Sequence, residues 1–455
     1  MRSARTIFVC FLFILALLLG GGTTQGLPQE TWLELLFLPL LGTMIVMLFF
    51  GRPTGARLAG VALAGAIVLV PLLQLVPLPP ALWVLLAHRQ FFANAYLAEH
   101  MPLPWLPISL SPASTWRSLF SIIPPITIFL AATLLEASVR RWLTFLLIVV
   151  AFLSVLYGFA QVAAGSGSPL RLYAITNPDQ AVGFFANRNH FSALLYATLP
   201  FLSAWGLWAV RSRHGGALVV GGLFLTVYLI FLLGVALAAS KAGLSLAVIA
   251  TMLAIILVAS NHRRVRRTSP AVVAGGAIVL LSTVLLAFFA LGLFADNGIA
   301  NRTGEGRIPI ARATVTAART FAPVGTGIGT FVPIYLMFEH KNFMTTEFIN
   351  RAHDDWLESA LETGVVGPLI GLLLLAFLAV RGVSIWLARA PPEQFPDRLL
   401  ERAATISIAL LALHSLVDYP LRTTAMTCVL ALAFAWVATA PSAKITVISR
   451  DRIVL

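Results

Sequence analysis

Windows of about 20 apolar residues, the length that spans a bilayer core as a helix, recur along almost the whole chain. They fall near residues 7–22, 32–50, 58–76, 119–137, 142–162, 189–210, 216–238, 242–259, 271–294, 356–380, 402–419 and 422–440. The pattern predicts an all-α, polytopic integral membrane protein with about twelve transmembrane helices, the first of them short. No internal repeat is evident, so the chain reads as a single transmembrane domain over 1–455. Three longer segments interrupt the pattern, at about 77–118, 163–188 and 295–355. The first is rich in Pro, Trp and Leu and reads as a piece lying on or dipping into the bilayer. The third, the largest, is expected to be a loop that closes over a site, since loops of that size are usually functional.

Composition supports this class. Hydrophobic residues make up 59% of the 455 and charged residues 11%, against roughly 25% charged in soluble domains. The two cysteines, Cys10 and Cys428, lie in apolar windows at opposite ends, which argues against a disulfide framework. Arg2 and Arg5 precede an apolar run as in a signal peptide. The following Gly20-Gly21-Gly22-Thr23-Thr24 offers no clear small-x-small cleavage site, so a retained first helix is expected.

The net charge of +13 is a topological signal. With the N-terminus in the cytoplasm, about 19 of the 31 basic residues fall in short cytoplasmic loops with only about five of the 18 acids, as the positive-inside rule requires. Both termini are then cytoplasmic. The run Asn261-His262-Arg263-Arg264-Val265-Arg266-Arg267 reads as an inner-leaflet stop signal. Without an aromatic platform it is not a nucleic-acid patch.

The basic residues left on the outer face run against that rule. Arg171, Arg188, Lys241, Arg302, Arg307, Arg351 and Arg422 adjoin helix ends or polar motifs there and point to an anionic ligand, for which arginine's planar fork is suited. Asn301–Arg307 reads as a flexible, basic, glycine-containing loop. Pro323–Phe331 reads as a tight turn rather than a dinucleotide site, since no strand–helix unit frames its glycines. Six ionisable groups crowd Arg351–Glu362, where Asp355 and Glu358 have capping-box spacing at a helix start. His353 just precedes them and is a candidate general base. His414 and Asp418 are spaced to share one helix face.

Asn187-Arg188-Asn189-His190-Phe191, Gly325-Thr326-Gly327-Ile328-Gly329-Thr330-Phe331, Ala352-His353-Asp354-Asp355-Trp356-Leu357 with Glu362-Thr363-Gly364, and His414-Ser415-Leu416-Val417-Asp418-Tyr419-Pro420-Leu421 occur in this order. Together they resemble the motifs of the bacterial O-antigen ligase and O-antigen polymerase superfamily, over about residues 183–422. Two departures stand out. Ser240-Lys241-Ala242-Gly243 replaces a Ser-Arg-Gly-Gly junction, and Asp354 and Trp356 replace the family's Asn and Tyr. The resemblance implies an inner-membrane glycosyltransferase that moves a glycan from an undecaprenyl-diphosphate carrier to a hydroxyl of a glycan or lipid-linked acceptor, at the periplasmic face. It implies neither metal nor cofactor. It makes His353 the expected base and Arg188, Lys241 and Arg307 the expected diphosphate ligands, with Arg351, Asp355, Glu358, His414, Asp418 and Arg422 in support. Direct attack would invert the anomeric centre. The alternative is a polytopic transporter or lipid-linked oligosaccharide flippase, which should show two related halves and ionisable groups at mid-membrane.

Overall fold

The computed structural model describes residues 2–23, 26–212, 216–262, 299–339, 349–388 and 392–441. It is helical nearly throughout. Among the described residues eight spans are long and apolar enough to cross a membrane: Pro28–Gly51 (α2), Gly55–Gln74 (α3), Pro112–Leu134 (α6, Pro112–Ser121, running into α7, Ile123–Leu134), Ala137–Ala163 (α8), Arg188–Ser212 (α9), Ala217–Ala238 (α10), a span starting at Lys241 in α11 (Lys241–His262), and Val366–Leu387 (α15). Two shorter apolar helices lie within α1 (Arg2–Leu19) and α17 (Thr424–Thr439). The expected helix at 271–294 and the arginines from Arg263 to Arg267 lie outside the described residues.

α9 is the axis of the bundle. It packs against α10, α11 and α16 (Phe395–His414), and 72% of its most apolar window is buried. α17 is buried on nearly every side, with Trp436 donating to Thr144 Oγ1 of α8 at 2.9 Å. α1 sets Val9, Leu12, Phe13, Ala16 and Leu17 into the same core. Both cysteines are free thiols.

Two expected helices differ. The window 356–380 is two helices, Asp355–Thr363 (α14) and α15, because Gly364 between them adopts φ +60° and a Cβ there would overlap the Pro323 carbonyl. The window 402–419 begins and ends earlier, as α16, and Ser415–Tyr419 turn away toward a short 3-10 turn at Pro420–Arg422.

The polar segments are structured where described. Residues 77–118 form a small hairpin in which Pro77 pairs with Pro107 and Leu78 with Leu106, and two short helices, Pro80–Trp83 (α4) and Arg89–Ala98 (α5), lie between these strands. Leu85, Phe91, Leu97 and Trp105 are exposed on it, while Trp83 and Arg89 are buried beneath. That asymmetry suits a segment lying on a bilayer surface. Asn301–Arg307 is not a flexible loop: it belongs to the helix Ile299–Phe321 (α12). Burial of Ile310, Ala317 and Phe321 on one face outweighs the cost of its glycines, about 1 kcal/mol each. A further helix, Phe331–Phe338 (α13), shares this second core, so the described part of 295–355 is a helical cap packed on α14.

Candidate functional site

The site is assembled where the starts of α9, α12 and α14 meet the turn that follows α16. The glycine turn fixes α14 from behind. Gly325, Gly327 and Gly329 all have positive φ, at 82°, 108° and 84°. Thr326 N donates to Leu361 O at 3.1 Å, Gly327 N to Glu362 O at 2.8 Å and Gly329 N to Glu362 Oε1 at 2.9 Å. Gln74 at the end of α3 also donates to Glu362 O and accepts from Ile328 N, both at 2.9 Å. Arg89, stacked near Trp83 and Phe321, donates to Gly325 O at 3.0 Å. The turn therefore closes the end of α14 and ties it to the 77–118 hairpin.

At the other end of α14 the cap is Asp354, whose Oδ1 accepts from Trp356 N at 2.8 Å and Leu357 N at 2.9 Å. The expected Asp355–Glu358 cap is not formed. Asp355 is the first helical residue, and its carboxylate accepts from Ser415 Oγ at 2.8 Å. Glu358 reaches back to Ala352 N at 3.0 Å and pairs with Arg351 at 2.9 Å. These bonds hold the backbone either side of His353, which adopts φ +55°, a left-handed conformation costing a non-glycine residue about 1–2 kcal/mol. The cap thus still aims the histidine, through Asp354 and Glu358.

His353 Nδ1 lies 3.4 Å from Asp418 Oδ1, an ion-pair distance beyond the usual hydrogen-bond range, and its side chain keeps 24% of its surface exposed while Asp418 is wholly buried. Asp418 Oδ2 accepts a short hydrogen bond from Asn189 Nδ2, and Oδ1 accepts from Tyr419 N at 3.0 Å. Arg307 Nη2 stands 3.8 Å away and its Nη1 donates to Val417 O at 2.7 Å. His414 Nε2 is 3.9 Å from Oδ2, and its Nδ1 is 2.7 Å from the Tyr196 hydroxyl. Burial would push the Asp418 carboxyl up, but the His353 contact and the His414 and Arg307 charges outweigh it and hold it well below the usual carboxylate range. Asp418 is therefore a buried, ionised carboxylate. The Tyr419 phenol, pushed up by burial and by Asp418, stays protonated.

Arg188 opens α9, with its backbone N–H capped by Asn177 Oδ1 at 2.9 Å, and is an electrostatic neighbour of both Arg307 and Asp418. Lys241 is exposed at the start of α11. Gly243, two residues on, packs so closely on Ser192 that a Cβ would meet it at 2.5 Å, which sets this helix start beside that of α9. Arg171 turns out to be structural: it donates to the carbonyls of Asn177 at 3.1 Å, Gln180 at 2.6 Å and Pro178, holding the loop that caps Arg188. The side chain of Arg302 lies outside the described residues.

A second charged cluster adjoins the first. Arg422 lies 3.0 Å from Glu362, 3.3 Å from Asp355 and 3.4 Å from Glu358. Burial opposes its charge, but these three carboxylates more than compensate and its pKa is raised. With Arg351 added, two guanidinium groups serve three buried carboxylates, so one acid is short of a counter-charge. The burden falls on Asp355, pushed up to about 7 by burial against the pull of Arg422 and Ser415. Glu358, between both arginines, is held low despite burial, whereas for Glu362 burial prevails and the shift is upward.

This second cluster faces a cavity of about 620 Å³. Arg351, Asp355 and Arg422 line its polar end; Leu374, Leu411, Leu430 and Phe434 line an apolar trunk running between α15, α16 and α17. His353 and Asp418 do not line it. Among the described residues no set of three His, Cys, Asp or Glu side chains is grouped as metal ligands would be.

All ten expected site residues are thus placed at this end of the bundle, nine of them in the two clusters and Lys241 on the adjoining helix start. The residues missed were Asn189, Tyr419 and Tyr196. Asn189 and Tyr419 sit inside motifs already noticed for their histidines. Tyr196, about two turns into α9, carries no local signal. Residues 201–376 match the family model described as O-antigen ligase. The match takes in Lys241, Arg307, Arg351, His353, Asp355 and Glu358 and leaves Arg188, His414, Asp418 and Arg422 outside. No curated protein matches the chain.

Proposed function

From the O-antigen ligase and O-antigen polymerase superfamily, to which this chain belongs, we propose that it transfers a glycan from an undecaprenyl-diphosphate carrier to the hydroxyl of a second glycan or lipid-linked acceptor, by direct displacement with inversion. Glycosyl transfer follows from the family; the carrier, the stereochemistry and the roles below are the proposal. The observation that carries it is the wholly buried Asp418 carboxylate 3.4 Å from Nδ1 of a partly exposed His353.

A general base needs a neutral nitrogen free to take a proton. With Nδ1 turned to Asp418, Nε2 is left on the opposite edge of the ring, available to the acceptor hydroxyl. Asp418 fixes the tautomer and stabilises the imidazolium formed when the proton moves. As the acceptor oxygen bonds to the anomeric carbon, the bond to the diphosphate breaks and negative charge grows on the leaving oxygen. Arg188 and Arg307, both beside Asp418, neutralise that charge, and their fork geometry suits a diphosphate. Lys241 adds a point charge from the neighbouring helix start. The protein is an integral membrane enzyme in this reading, with its site at the membrane–water boundary on the periplasmic side.

The test is H353A, purified as a folded protein and assayed with an undecaprenyl-diphosphate glycan. Transfer is expected to fall by about 10²–10⁴-fold; an unchanged rate would remove His353 from the chemistry. H353A that still binds the carrier, beside R188A/R307A that does not, separates base from clamp.

A further inference from the structure

The 620 Å³ cavity has a feature that glycan transfer at His353 does not use. Glu30 and Glu34 line it from α2, an otherwise apolar helix, beside Arg117 of α6. Two carboxylates at i and i+4 repel each other, and ionisable groups in membrane helices are costly and usually functional.

The charges at this polar end are unevenly committed. Arg351 and Arg422 line the cavity but are bound from behind by Glu358 and Glu362, which do not line it. Asp355 is held by Arg422 and Ser415. Glu30 feels Arg351, a guanidinium already bonded to Glu358. Arg117 has no ion-pair partner among the described residues and leans over the start of α2: a Cβ on Gly26 would lie 3.6 Å from its Nη1. What remains for a ligand is one guanidinium and, just along α2, a pair of carboxylates, above an apolar trunk.

We propose that this cavity is a binding site for an aminophospholipid. The phosphate sits on Arg117, the primary ammonium between Glu30 and Glu34, and an acyl chain runs along Leu374, Leu411, Leu430 and Phe434. A bare anionic head group would meet an excess of carboxylates here. A zwitterion with an outlying ammonium satisfies both signs. The site is separate from the arginines proposed to hold the diphosphate carrier, and its occupancy does not depend on the transferase reading.

The test uses the full chain, purified in detergent and delipidated, then incubated with phosphatidylethanolamine, phosphatidylcholine or phosphatidylglycerol. Retained lipid is counted by native mass spectrometry. Wild type is expected to retain phosphatidylethanolamine at least tenfold over phosphatidylglycerol, with phosphatidylcholine between, since methylation removes the ammonium's hydrogen bonds. E30Q/E34Q should bring the three within about twofold, R117Q should weaken all three, and L430W, which fills the trunk, should abolish retention. Equal retention of the three lipids by wild type overturns the proposal without any variant. So does a tenfold preference that survives in E30Q/E34Q or in L430W. Because no readout involves glycan transfer, failure here is distinct from failure of the transferase reading.

Discussion

Asp418 Oδ1 stands 3.4 Å from Nδ1 of His353, and one residue is wholly buried while the other keeps an open edge. The two come from segments 65 positions apart, and Asp418 is further gripped by Asn189 from a third. If the pair acts as base and orienting carboxylate, D418N keeps the shape and removes the charge. The expected result is a fall in kcat of about 10²–10⁴-fold, with KM for the carrier changed far less. N189A, which loosens Asp418 without discharging it, should cost less. Initial rates over carrier concentration decide this, and a D418N enzyme within threefold of wild type would refute it.

Arg188 and Arg307 flank the same carboxylate from α9 and α12. Each charge-assisted contact to a diphosphate contributes about 1.5–3 kcal/mol. R188A and R307A should therefore each weaken carrier binding roughly 10- to 150-fold. R188K and R307K should recover only part, since lysine keeps the charge without the fork. Binding of undecaprenyl diphosphate, followed without acceptor, measures this directly. Alanine variants that bind as tightly as wild type would place the diphosphate elsewhere.

Much of this is legible in the sequence. Apolar windows located the eight long spans because a bilayer imposes one length on every crossing helix. The basic residues against the topological grain led to Arg188, Arg307, Arg351 and Arg422. What failed depended on contacts distant in sequence. The break at Gly364 is set by the Pro323 carbonyl, some forty positions away. Capping-box spacing favoured Asp355, but Ser415 and Arg422 claim that carboxylate and leave the cap to Asp354. Asn301–Arg307 looked like a loop because its glycines are visible locally and its buried face is not. Tyr196 was silent because its partner, His414, lies 218 residues on.

The carboxylate excess around Arg422 predicts a pH dependence of stability. Asp355 has a folded-state pKa of about 7, against about 3.9 for an unperturbed aspartate. A raised acid pKa means the protonated form is favoured in the fold. Its stabilising contribution is complete below about pH 4 and is lost as pH rises through 7. Melting temperature should fall between pH 4 and pH 7 by an increment that D355N removes. A D355N profile parallel to wild type over that range would show that Asp355 is not the group left short of a counter-charge.

Arg422 itself is the residue whose loss should harm the fold most. Removing one partner of a buried ion pair costs about 3–5 kcal/mol, and here three carboxylates lose their shared cation. R422M should lower the melting temperature sharply, and R422K should fall between it and wild type. R422M/E362Q should recover part of the loss, since it also removes a stranded acid. A double variant no more stable than R422M would show that Glu362 does not need that charge.

The glycine turn offers a perturbation away from the His353–Asp418 cluster. A Cβ at Gly327 would meet Ser109 Oγ at 2.5 Å, and the residue's φ of +108° is one that an L side chain rarely adopts. G327A should therefore cost about 1–3 kcal/mol in strain. Its consequence should reach His353, because the turn holds Glu362 and closes the end of α14 whose other end carries the histidine. The expected variant is folded, binds undecaprenyl diphosphate as wild type does, and transfers glycan at a reduced kcat. S109G, which removes the Ser109 side-chain overlap but leaves its Cα at 2.8 Å and the φ strain in place, should restore part of that rate in the double variant. Lost carrier binding in G327A would instead mean that the turn positions Arg188 and Arg307 rather than the base.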